Sequence, residues 1–135
     1  MPKSLLMALF LLAAGYAKAQ DISTDTIVWT AVRAVNQSDN SAIVYNSSFT
    51  SYANQSVDWV QKGVTSHYAV GQVNGNWTTL GQDGLMSYDI TGAGGTLTGT
   101  ITFTRNLGNI SIHLKTQVED SGLDLVFEIS AIQAQ

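Results

Sequence analysis

The run Leu97-Thr98-Gly99-Thr100-Ile101-Thr102-Phe103-Thr104 alternates apolar or small residues with threonine without a break. A period of two places every second side chain on one face of a strand, and a helix cannot bury such a pattern on one side. The pattern extends over Leu85 to Ile132, which reads as four antiparallel strands sharing one apolar face. After Arg105-Asn106-Leu107-Gly108, the residues Ile110, Ile112, Leu114, Thr116 and Val118 point inward, and Ser111, His113, Lys115 and Gln117 outward. The link Glu119-Asp120-Ser121-Gly122 leads to inward Leu123, Leu125, Phe127, Ile129 and Ala131, with Val118 expected opposite Leu123. On the other flank, the turn Thr91-Gly92-Ala93-Gly94-Gly95 sets Ile90 opposite Leu97, Tyr88 over Gly99 and Met86 opposite Ile101. A ring covering a strand glycine is a packing device, so Gly99 needs no functional role.

The first half of the chain is less regular. Thr26 to Val35 is a strand rich in β-branched residues, with Val28, Val32 and Ala34 on one side and Ile27, Trp29, Ala31 and Val35 on the other. Both sides are mostly apolar, which suits a strand covered on both faces or one lying where a barrel closes. Ser41 to Tyr52 is a second strand, carrying Ile43, Tyr45 and Phe49, and Asn54-Gln55-Ser56 breaks it. Val57 to Val60 fits a short strand or a helical turn ending at Gly63. Val73-Asn74-Gly75-Asn76 predicts a two-residue hairpin between His67–Val73 and Trp77–Leu80, because Asn-Gly suits a type I′ turn. Short polar links joining about eight strands predict an all-β, up-and-down antiparallel meander, closed as a small β-barrel. A two-sheet β-sandwich is the alternative.

Met1 to Ala19 has the build of a signal peptide: Lys3, an apolar run from Leu5 to Ala14, and the small-x-small triplet Ala17-Lys18-Ala19. The expectation is a leader over 1–19 and a single all-β domain over 20–135, exported to the periplasm or the cell exterior. Asp21 to Asp25 is polar and expected to be loosely packed. The chain has no cysteine, which excludes disulfides and thiolate metal sites. After Ala19, ten acidic side chains stand against Arg33, Lys62, Arg105 and Lys115, so ten less four leaves a net charge of −6. That balance speaks against a nucleic-acid partner. No second apolar run follows the leader, so stable membrane insertion is not expected either.

Candidate chemistry is sparse. The expected register sets Thr100, His113 and Glu128 side by side, a hydroxyl, an imidazole and a carboxylate on a solvated sheet face without an evident oxyanion hole. The cross-strand His-Glu pair reads as surface electrostatics. The threonine row Thr96 to Thr104 would serve ice binding only if neighbouring strands repeated it, and they do not. Glu119, Asp120 and Asp124 form an acidic turn without calcium-loop spacing. His67 and His113 stand far apart in sequence, so neither metal nor cofactor is expected. His67 near Asp58 or Asp83 is the remaining catalytic combination. Five Asn-x-Ser/Thr sequons begin at Asn36, Asn46, Asn54, Asn76 and Asn109, and would carry glycans in a eukaryotic host.

The aromatics say more. Trp29, Tyr45, Trp59, Tyr68 and Trp77 fall on or near strands, and an aromatic-lined barrel interior is a usual way to hold a small apolar ligand. Core filling is the competing reading of the same rings. Gly75-Asn76-Trp77-Thr78-Thr79-Leu80-Gly81 followed by Gly95-Thr96-Leu97-Thr98-Gly99-Thr100 resembles the first two strands of avidin-type barrels. It lies too late in the chain for six further strands, so the resemblance implies a meandering architecture and not biotin binding. The chain is lipocalin-like in strand count and expected export, although its Gly-x-Trp, Gly75-Asn76-Trp77, lies mid-chain. The leading expectation is a non-catalytic barrel binding a small apolar or amphipathic ligand between the strands of Thr26–Tyr52 and His67–Leu80. A structural or adhesive protein with a filled core, with homo-oligomerisation open to either, is the second, and an enzyme the third.

Overall fold

A computed structural model describes residues 21–135, apart from the side chains of Val44, Tyr45 and Ala93; the expected leader lies outside the described residues. Eight strands follow in order: β1 (Thr26–Asn36), β2 (Ala42–Tyr52), β3 (Ser56–Gln61), β4 (Val64–Gly75), β5 (Gly84–Gly92), β6 (Thr98–Asn106), β7 (Asn109–Val118) and β8 (Ser121–Ala134). Each pairs antiparallel with the next, and β8 returns to β1 to close the barrel. The sandwich alternative is thereby set aside. Closure leaves no unpaired strand edge, and eight strands enclose a space that side chains can fill.

The inward faces of β5 to β7, and of β8 as far as Ile129, are those the alternation predicts, but an irregularity at Ser130 turns Ala131 outward opposite Thr30 and brings Ile132 inward opposite Trp29. Every expected register in that half also differs from the observed one by two residues. Val118 meets Ser121 and Leu123 meets Thr116; Ile90 meets Gly99, Tyr88 meets Ile101 and Met86 meets Phe103. Between β5 and β6 the link is longer than expected, with Ile90 and its partner enclosing two more residues around the turn Ala93–Gly95, whereas the other two links are tighter. Leu107 and Gly108 alone link β6 to β7, at φ 51° and 80°, and Glu119, also left-handed at φ 52°, opens the link from β7 to β8. A slip of two residues leaves each side chain on its own face, so the core survives the error. Gly99 is therefore not covered by Tyr88. Its missing Cβ would collide with the Lys115 carbonyl oxygen and stand 2.8 Å from Thr116 Cα, so glycine lets β7 press onto β6 at a barrel corner.

In β1 the inward residues Ile27, Trp29 and Ala31 give way to Ala34, because a bulge turns both Val32 and Arg33 outward. Neither expected side of this strand is continuous. Val57 to Val60 belongs to β3, and Lys62-Gly63, at φ 48° and 77°, turns it into β4. The Asn74-Gly75 hairpin does not form: Asn74 and Gly75 pair with Ser87 and Met86 inside the β4–β5 ladder, and Trp77 to Leu80 is a loop and not a strand. The indole wins over turn propensity. Trp77 is 2% exposed, and its N–H donates to the carbonyls of Thr79 and Gln82, both at 2.9 Å. Burying an indole, about 200 Å² at ~25 cal/mol per Å², outweighs the roughly 1 kcal/mol scale of a turn preference.

Candidate functional site

The two ends of the barrel differ. At the end where β1 begins, two segments fold over the opening. The stretch expected to be loose, Asp21 to Asp25, is a tight turn in which the Asp25 N–H donates to the Asp21 carbonyl at 2.9 Å and Ile22 is fully buried. The β4–β5 loop adds Trp77 and Leu80. Asp83 accepts from the Leu107 N–H at 2.8 Å, and Arg105 donates to the Leu80 carbonyl at 2.9 Å, tying that loop to the β6–β7 turn. The Tyr88 phenol O–H donates a hydrogen bond to Asn54 Oδ1 at 2.9 Å. Burial, with the Asp21 carboxylate second, pushes the Tyr88 phenol well above its ordinary range.

The other end has no such cover. Of the described residues of its connecting loops, Gln37 to Ser41, Lys62, Gly63, Gly94 to Thr96, Glu119 and Asp120 are exposed, and Leu97 alone is partly buried. Inward-facing positions nearest this end carry apolar side chains that remain in solvent: Ile43 is 43%, Val64 61% and Leu123 42% exposed. Leu97 and Val118 are partly buried, and with Ser66 and Tyr68, and with Thr65 and His67 from the outward face, they line a concavity of about 380 Å³ that Ile43, Val64 and Leu123 do not line. That volume falls within the range of small-molecule sites. Burial holds the Tyr68 phenol above its ordinary value, with a hydrogen bond to Ser66 acting the other way. The β2–β4 wall also places Ser47, Gln61 and Ser66 on inward positions, whereas the facing wall offers Leu97, Val118 and Leu123.

Between plug and mouth the interior holds two groups of rings. Near the plug, Trp29 lies 5.7 Å from Trp77 and 4.8 Å from Phe103, with Tyr88 5.5 Å from Phe103. Toward the mouth, Phe49 stacks on Trp59 at 5.8 Å, and Phe127 meets both edge-on at 4.9 and 5.5 Å. Of the five aromatics singled out in the sequence, Trp29, Trp59, Tyr68 and Trp77 are thus inside the barrel, none more than 3% exposed. The fifth, Tyr45, has its side chain outside the described residues. The rings themselves occupy the space between the strands where a ligand was expected, and Tyr68 alone of the four lines the mouth. The rim residues Ile43, Val64 and Leu123 were missed as site residues. Their signal is alternation that continues past the last buried layer.

Two polar atoms in this interior have no partner among the described residues, the Ser47 hydroxyl oxygen and the Trp59 indole nitrogen. Ser47 is 7% and Trp59 3% exposed. By contrast the Trp29 N–H donates to the Ser51 hydroxyl at 2.9 Å. A third such atom, Arg105 Nε, sits 3.6 Å from an Asp83 carboxylate oxygen, within ion-pair reach though too far for a hydrogen bond.

The outer face does not assemble catalytic machinery. Thr100 faces Lys115, and Glu128 faces Ser111 and pairs with Arg33 at 3.3 Å, so the expected Thr100, His113 and Glu128 row is absent. His113 instead bonds Asp124 at 2.5 Å, and Thr102, its ladder neighbour, bonds Ser87 at 3.0 Å. His67 does meet Asp58, at 2.5 Å, not Asp83. The row there runs Thr50, Asp58, His67, with the carboxylate in the middle, whereas a nucleophile needs the imidazole between hydroxyl and carboxylate. Partial burial, then the Asp58 carboxylate, raises the pKa of Tyr52 on the same face. No group of three or more His, Cys, Asp or Glu poised for a metal occurs among the described residues. A larger groove of about 760 Å³ crosses the outer face at Val32, Thr104, Ser111 and Glu128, but each of its lining residues is at least partly exposed.

These features define a class: a small, closed, up-and-down antiparallel β-barrel with one plugged and one open end. No family model matches the chain, and no curated protein or solved structure matches it.

Proposed function

We propose that the protein is an exported, non-catalytic β-barrel that holds a small apolar or amphipathic ligand in its open mouth. The observation that carries this reading is the asymmetry of the ends: one is closed by Ile22, Trp77 and Leu80, while inward-facing Ile43, Val64 and Leu123 are left in water at the other. Apolar side chains on inward positions gain when something apolar covers them. The outer surface supports a barrel surrounded by water, since β6 and β7 turn Thr98, Thr100, Thr102, Thr104, His113 and Lys115 outward. The apolar leader supports export to the periplasm or the cell exterior, and the acidic balance supports a partner other than nucleic acid.

Native mass spectrometry of the mature chain from its own exported fraction tests the proposal. The expected result is a mass excess that vanishes on denaturation, and that Val64→Asp and Leu123→Asp remove without lowering Tm. The ring-filled interior favours a second reading, a structural barrel acting through its outer face. A bare chain forming discrete multimers would replace the first reading by the second.

A further inference from the structure

We infer that the ligand carries a neutral hydrogen-bond acceptor, a carbonyl or hydroxyl, at one end of an apolar body, and that Trp59 Nε1 and Ser47 Oγ receive it. This rests on the mouth reading above and names the chemistry of that same site.

The chain has three indoles, and the structure satisfies two. Trp29 donates to Ser51, and Trp77 to two backbone carbonyls. Trp59 has no acceptor among the described residues although its indole nitrogen is buried. The geometry makes the omission specific. Phe49 on β2 pairs with Trp29 on one side and Trp59 on the other, and on β2 it is flanked on the inward face by Ser47 and Ser51. On the β1 side the indole took a serine; on the β3 side Trp59 and Ser47 are both left unpaired.

Buried polar atoms in folded proteins are paired as a rule, so two orphans on adjacent strands point to a partner that arrives from outside. Trp59 can only donate, and the serine can donate as well, so the partner must accept. It must also be uncharged. Lys62 and Lys115 are both exposed, on the turn and the outer face, and a carboxylate inside would lose its water without gaining a cation. The path inward is polar along one wall: Val64 at the rim pairs with Gln61, which pairs with Ser47. Opposite it, Leu97, Val118 and Leu123 offer apolar contact for the rest of the molecule. A lone water would satisfy the two atoms, but it would leave that apolar wall uncovered.

The test titrates the ¹⁵N-labelled mature protein with decanol, decanoate and decylammonium, following the three indole N–H signals, each assigned by its Trp→Phe variant. Decanol is expected to bind about tenfold more tightly than either ion and to move the Trp59 signal, leaving those of Trp29 and Trp77 in place. Ser47→Ala and Trp59→Phe should each remove about fivefold of that preference, the size of one neutral hydrogen bond. Ser47→Ala keeps the test valid should Trp59→Phe fold poorly. Equal binding of all three probes, or a preference undiminished in Ser47→Ala, would overturn the head-group assignment while the mouth reading stands. Failure of every probe to bind would overturn both.

Discussion

Replacing Gly99 by alanine probes the closeness of β6 and β7 more directly than any core truncation. The added Cβ would overlap the Lys115 carbonyl oxygen and stand 2.8 Å from Thr116 Cα and 3.0 Å from the Lys115 carbonyl carbon. All three are backbone atoms, so no side chain can swing aside. Strand β7 must retreat by roughly 1.5 Å to restore ordinary contact with that oxygen, near 3.5 Å. The retreat strains the Gly99–Thr116 register and loosens Leu114, which is fully buried next to it. Overpacking costs about 1–3 kcal/mol, and one weakened ladder bond adds about 1 kcal/mol, so the expected loss is about 2–4 kcal/mol. For a domain of this length that is a fall in Tm of about 8–16 °C. Urea unfolding followed by circular dichroism should show a lower midpoint with an unchanged slope. Gly71→Ala is the matched control. Its new methyl meets only the Asp89 carbonyl at 3.6 Å, so it should stabilise by about 0.4–1 kcal/mol through the unfolded chain. If Gly99→Ala proved no less stable than Gly71→Ala, the argument that backbone approach selects this glycine would be refuted.

Ser51→Ala should destabilise by about 1–3 kcal/mol, because it strands the buried Trp29 N–H, whereas Ser47→Ala, which breaks no bond, should lie within about 0.5 kcal/mol of the parent; chemical denaturation of the pair decides. Ile22→Ala should lower stability by about 2–4 kcal/mol, since Ile22 is fully buried in the plug; a change within experimental error would mean that the turn of Asp21 to Asp25 is not part of the fold. Alkali should unfold the protein. The buried Tyr88 phenol is held above its ordinary value of 10.0, so the unfolded chain releases that proton first, and stability intact below about pH 10 should fall by about 1.4 kcal/mol per pH unit above it. Absorbance titration should show Tyr88 ionising only as circular dichroism is lost, and a Tyr88→Phe variant should soften the decline; early ionisation of Tyr88 in the folded state would contradict the burial argument.

How far the fold was legible follows from the arithmetic of strands. A period-two pattern reports which face a residue occupies and is blind to slips of two, so Ile112, Leu114, Leu125 and Phe127 were placed inside correctly while every partner in β5 to β8 was misassigned. What local pattern missed depends on contacts between distant segments. Asn74-Gly75 is a turn by propensity and a strand by outcome because the indole two residues on has a barrel end to cover. Ile22 sits in a polar pentapeptide, and only the closed barrel shows what it is apolar for. The aromatics were legible as interior but not as lining or filling, since that depends on which rings meet: Trp29 meets Trp77 and Phe103, and Phe49 meets Trp59 and Phe127. The mouth was hardest to see because its residues obey the core's own rule. Val64 and Leu123 continue the inward alternation of Ser66, Tyr68, Leu125 and Phe127 one step past the last buried layer. A pattern kept where the fold no longer buries it is excess apolar surface at a barrel's opening.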